Sequence, residues 1–170
     1  MANNMMSQRD TIMEEKMMVD PALAHGKSLT FMMCVTLFAA RLISVIIETV
    51  YVSVRGLPFS SLIFSYIAFV IIGVVLLSIY KQGIMGAVYL VIVGGVWSLA
   101  SLFLGSIFSA FSTGTLFIRF YLILSLALAI IQVASMVVIL LSRDCKKYLI
   151  EITHINTTLL NQAMADRQQK

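Results

Sequence analysis

Long apolar runs separated by short polar breaks dominate the chain. The runs cover 28–54, 57–80, 84–111 and 115–141, and each exceeds the about 20 residues that an α-helix needs to cross a hydrocarbon core about 30 Å thick. Their apolar residues are continuous rather than alternating, which excludes the period-2 pattern of a membrane β-barrel. In lipid, such a backbone satisfies its own N–H and C=O groups only as a helix. The pattern predicts an all-α integral membrane protein: an antiparallel four-helix transmembrane bundle over 28–141, between a tail over 1–27 and a tail over 142–170.

Both tails carry helical signals. In the C-terminal tail Tyr148, Ile152, Ile155, Leu159 and Ala163 recur at spacings of four, three, four and four, one apolar face of an amphipathic helix that continues or restarts the fourth run along the membrane surface. In the N-terminal tail Asp20-Pro21 reads as N-cap and first helical position of a lead-in to the first run. Thr11-Ile12-Met13-Glu14 matches a capping box that opens a short helix. Six of the eleven methionines lie in the first 18 residues. Their flexible side chains suit an adaptable contact surface, and the same composition suits a disordered tail.

Composition sharpens the class. Hydrophobic residues make up 60% of the 170 and charged residues 12%, against about 25% charged in soluble domains. The charges also orient the chain. Arg9, Lys16, Lys27, Lys81, Arg143, Lys146, Lys147, Arg167 and Lys170 fall on one side, and Arg55 and Arg119 on the other, so the positive-inside rule predicts that both tails are cytosolic. The outward loops, about 55–56 and 112–114, are then too short for an ectodomain, and the sequon at Asn156 faces the cytosol, where it is not glycosylated. The polar opening and the length of the first run do not fit a signal peptide. The net charge of +4 follows this topology rather than a nucleic-acid partner. The expected partners are the lipid bilayer and other membrane proteins, a second copy included, in the plasma membrane or an endomembrane.

No metal-ligand spacing, nucleophile elbow or phosphate-cradling loop stands in the sequence, so neither a cofactor nor an enzyme activity is expected. Cys34 and Cys145 are expected to stay free thiols. Cys145, among Arg143, Lys146 and Lys147, is a candidate for S-acylation, with an unmodified thiol as the alternative. In the third run Gly94, Ser98, Ser101, Gly105 and Ser109 form a small-residue stripe on which helices associate, within the bundle or with a partner; Trp97 lies beside it.

The apolar runs also contain charges. A charge in mid-bilayer costs about 2.5 to 3.5 kcal/mol on insertion scales, so Arg41 and Glu48 need partners. Seven positions apart, they share a helix face but are separated by about 10 Å along the axis, and no direct contact is expected. Depth matching instead pairs Glu48 with Arg119 and Arg41 with Gln132, joining the first and fourth runs. The alternative is that Arg41 and Glu48 line a proton or ion path.

The segment IIGVVLLSIYKQGIMGAVYLVIVGGVW, with its basic turn Tyr80-Lys81-Gln82-Gly83 between two long runs, resembles the lysosome-associated four-span family and the related insect tetraspans, some of which serve septate junctions. The likeness covers about residues 30 to 141. The chain lacks the cysteine-glycine signature and large second loop of tetraspanins and the tryptophan-and-cysteine first loop of claudins. The resemblance implies a non-enzymatic role in sorting, stabilising or assembling other membrane proteins, such as a scaffold at a cell junction or in trafficking. Two other readings stay open: a small transporter or channel subunit using Arg41 and Glu48, and an accessory subunit of a large membrane complex.

Overall fold

The computed structural model describes residues 2–83, Gly95 and 116–168. Among them are five α-helices and no strand: α1 (Ala2–Val19), α2 (Pro21–Arg55), α3 (Ile63–Gln82), α4 (Leu116–Leu141) and α5 (Arg143–Gln168). Three of these, α2, α3 and α4, are long and apolar enough to cross a membrane. The third run, 84–111, with Trp97 and the stripe residues Gly94, Ser98, Ser101, Gly105 and Ser109, lies outside the described residues. Gly95 is described, and a Cβ there would come within 3.2 Å of Val133 on α4.

Helix α2 runs antiparallel to both α3 and α4. Against α3, Phe31 meets Tyr80 with ring centroids 5.4 Å apart, and Phe38 meets Phe69 at 5.1 Å. Against α4, Tyr51 stacks on Tyr121 at 4.3 Å. Asp20 starts α2 as expected: its backbone is extended and its carboxylate accepts from the Ala22 N–H at 3.1 Å, with Pro21 in the first turn. The helix ends at Gly56 in the left-handed region, where the Gly56 and Leu57 N–H groups return to Ser53 and Val52. The second run begins later than the hydropathy pattern places it. Leu57 precedes Pro58, which disfavours a helical Leu57, and a 3₁₀ turn (Phe59–Leu62) separates it from α3.

The two tails are folded, and they fold on each other. Helix α1 runs through the expected capping box; Thr11 lies mid-helix, and its hydroxyl donates to the Ser7 carbonyl at 3.0 Å instead of capping. At the other terminus the hydrogen-bond ladder passes almost unbroken from α4 into α5, with Ser142 Oγ accepting from the Cys145 N–H at 3.3 Å. The face predicted on α5 is buried, but against protein. Tyr148, Ile152, Ile155 and Leu159 join Met13 of α1, Cys34 and Leu37 of α2, Leu76 and Ile79 of α3, and Met136 and Ile139 of α4 in one core. Its heart therefore sits where the long apolar helices end and the tails begin. Large apolar side chains such as Phe31, Ile46, Val70, Leu77 and Ile130 remain exposed along the long helices, as lipid-facing surfaces require.

Two glycines permit this closure. At Gly26 a Cβ would overlap the Asp144 carbonyl and touch the Tyr148 Cβ, so α2 and α5 cross backbone to backbone there. Gly83 caps α3 at φ 70° and lies directly beneath Leu149, Ile152 and Thr153 of α5. A residue with a side chain would meet both the left-handed strain and the neighbouring helix. Two ion pairs cross the same junction, Lys16 with Glu151 and Lys147 with Asp20, and His25 Nδ1 lies within hydrogen-bond distance of Asp144 Oδ2 at 2.7 Å. Tyr148 donates to the Tyr80 carbonyl at 2.9 Å, and its burial raises the phenol pKa above the ordinary value, so the hydroxyl stays protonated.

Candidate functional site

Arg41 stands at the midpoint of the run 28–54, where a lone charge is most costly. The structure brings it to Glu48: the Arg41 guanidinium lies 3.8 Å from Glu48 Oε1, with the two side chains 16% and 26% exposed. This corrects the expectation that the two residues stay apart. The backbone offset of about 10 Å is real, but the extended guanidinium and the N-terminally leaning carboxylate close it between them. At about 4 Å and an effective dielectric near 20 the attraction is about 4 kcal/mol, similar in size to the insertion cost of one charge. Pairing therefore makes the charges tolerable without making them a large source of stability.

The contact is electrostatic rather than a hydrogen bond, since 3.8 Å exceeds the N–H···O range. Arg41 Nε is buried with no hydrogen-bond partner. Glu48 is better served, because Ser65 Oγ on α3 donates to its other oxygen. One position along, the Thr49 hydroxyl and the Tyr66 hydroxyl are 2.9 Å apart, so two polar side-chain bridges join the start of α3 to α2 at one level. Ser65 and Tyr66 were not singled out by sequence reading. The available signal was the short connection after Arg55, which puts 48–49 and 65–66 at similar depth on antiparallel neighbours.

The expected partners from α4 are elsewhere. Arg119 is exposed and Gln132 is half-buried, and among the described residues neither makes an ion pair or hydrogen bond with Arg41 or Glu48. What joins α2 to α4 at this level is aromatic: Tyr51 stacks on Tyr121 and lies parallel to Phe117 at 6.3 Å. The polar contacts are thus between the first and second long helices, rather than the first and fourth runs. Cys145 also differs from its expected setting. It is fully buried, with its thiol 4.0 Å from the Gly26 carbonyl, and Cys34 is buried as a free thiol as well. Acylation of Cys145 would require α5 to part from α2.

Among the described residues no group of three or more His, Cys, Asp or Glu side chains is arranged to hold a metal ion. Comparisons with protein-family models, curated proteins and solved structures find no match to the chain.

Proposed function

We propose that this is a non-enzymatic four-span membrane protein with both tails in the cytosol, which assembles, stabilises or sorts other membrane proteins at a cell junction or in an endomembrane complex. In this reading the run 84–111 supplies the span between α3 and α4. The observation that carries it is the cap: two tails that meet in one core with the span ends make a folded platform fixed to the helices. Such a platform holds a partner at a set position relative to the bilayer. Met18, Leu160 and Met164, all exposed on α1 and α5, give it apolar contact points, and the small-residue stripe of the third run gives a second docking face within the membrane. The same surfaces would serve an accessory subunit of a larger complex.

Affinity purification in mild detergent tests the reading. A recurring set of membrane proteins should accompany the wild type, and Met18→Ser, Leu160→Ser and Met164→Ser together should release it while the melting temperature is unchanged. Recovery of the wild type alone would end the proposal. The cytosolic placement is tested by protease access in sealed vesicles, where protection of either tail from the cytosolic side would reverse it.

One observation favours a second reading, a small transporter or channel subunit: the buried, unbonded Nε of Arg41 beside Glu48, the kind of unmet donor that a passing ion or water would satisfy. Proteoliposome flux that disappears in Glu48→Gln with normal folded yield would support it. Absence of flux from the wild type would remove it.

A further inference from the structure

Where α1, α2, α3 and α5 meet, a cavity of about 280 Å³ opens between Met13, Tyr80, Tyr148 and Ile152, with Arg9, Asp10, Glu14, Lys27 and Lys81 around it. Its level is fixed by its neighbours. Phe31 and Leu77 are exposed apolar residues of α2 and α3 just before this end, and Tyr80 lies against Phe31. The cavity therefore sits where the apolar belt gives way to the charged cap, the depth of a phospholipid headgroup.

Its charges are not all engaged. Arg9 is committed within the protein, donating to Asp10 at 2.6 and 2.9 Å and to the Lys81 carbonyl at 3.1 Å. The amines of Lys27 and Lys81 and the carboxylate of Glu14 make no ion pair among the described residues. Two free cations and one free anion around a half-enclosed space with tyrosine rings in its wall complement a group that carries a phosphate and an ammonium. A purely anionic group would leave Glu14 facing a second negative charge, and a simple cation would face two lysines. The Tyr148 hydroxyl is used by the Tyr80 carbonyl, so the charged contacts fall to Lys27, Lys81 and Glu14.

We propose that this cavity binds the headgroup of an amine-bearing phospholipid, with the phosphate on Lys27 and Lys81 and the ammonium on Glu14. An ammonium with N–H groups donates to the carboxylate, whereas a quaternary one cannot, so ethanolamine is preferred to choline. The acyl chains lie along the exposed apolar faces of α2 and α3.

Native mass spectrometry of the full chain, released from mixed micelles holding equal amounts of ethanolamine, choline and glycerol phospholipids, tests it. The wild type should retain the ethanolamine lipid roughly fivefold over each of the others, one charge contact near the surface contributing about 1 kcal/mol. Lys27→Gln with Lys81→Gln should lower retention of all three, and Glu14→Gln should abolish the advantage of ethanolamine over glycerol lipid. Soluble phosphoethanolamine, which lacks the chains, should not displace the lipid at equal concentration. Equal retention of the three lipids, strongest retention of the glycerol lipid, a preference that survives both variants, or displacement by soluble phosphoethanolamine would each overturn the proposal. Melting temperatures of the variants, expected to equal that of the wild type, separate lost binding from lost fold.

Discussion

Glu48→Gln keeps an acceptor for Ser65 but leaves Arg41 without its counter-charge, and should lower folded yield in size-exclusion fluorescence, since an uncompensated buried charge costs about 3 to 5 kcal/mol. That the two residues share a face was legible from the seven-residue interval, but their contact was not, because Cβ direction says nothing of how far a guanidinium extends. The swap Arg41→Glu with Glu48→Arg should fold better than either single change, the non-additivity of residues in contact. A swap of Glu48 with the exposed Arg119 should rescue nothing. Gly83 supports a second comparison. Gly83→Ala must strain φ and push into Ile152 and Thr153, whereas Gly56→Ala, at φ 62° with open space around it, meets only the conformational cost of about 1 to 2 kcal/mol. Thermal melts in detergent should show the larger loss at Gly83, and equal losses would mean that α5 does not rest there.

Helix α5 shows the same boundary between pattern and destination. Its apolar face was readable to the residue from spacings of three and four, yet period alone cannot distinguish a lipid surface from another helix. The deciding contacts come from Met13, Leu76 and Ile79, distant in sequence. Ile152→Ala should therefore cost about 2 to 5 kcal/mol, as truncation in a packed core does. Ile150→Ala, at a side chain 60% exposed, should stay within about 0.5 kcal/mol. Comparable losses in the two melts would return the helix face to the membrane. The α2 start was legible because Asp20-Pro21 is a local device, satisfied by neighbours two residues away. Thr11 was misread for the complementary reason: a capping box requires its first residue to leave helical geometry, and nothing in the preceding residues stops the helix. The late start of α3 was written in Pro58, whose effect on Leu57 outweighed a continuous hydropathy run.

Taken together, α1, α5 and the ends of the long helices form one closed junction, and its chemistry predicts how the whole responds to solution conditions. Lys147 first, then the Ala22 and Leu23 backbone, hold the half-buried Asp20 carboxyl below its ordinary value of 3.8, against the opposing effect of desolvation. A carboxylate depressed in the folded state contributes stability above its unfolded pKa and loses it as pH falls through the folded one. The melting difference between the wild type and Asp20→Asn, which keeps the cap but not the charge, should hold steady from about pH 5 to 8 and shrink below about pH 4. A difference that instead changed between pH 6 and 8 would assign the clasp to another group. Cys34 and Cys145, both enclosed, should resist maleimide in detergent and react fully in SDS; labelling of Cys145 in the folded protein would show the junction open. The pairing of Lys16 with Glu151 spans 135 positions, and that separation sets an order in time. Helix α1 is made before α5, and the stretch between the paired residues takes roughly 7 to 27 seconds to synthesise at about 5 to 20 residues per second. Until α5 is made, the core that Met13 shares with Cys34, Leu37, Leu76 and Ile79 lacks Tyr148, Ile152, Ile155 and Leu159. The cap can shut only once α5 is present, so its closure is a late step in folding.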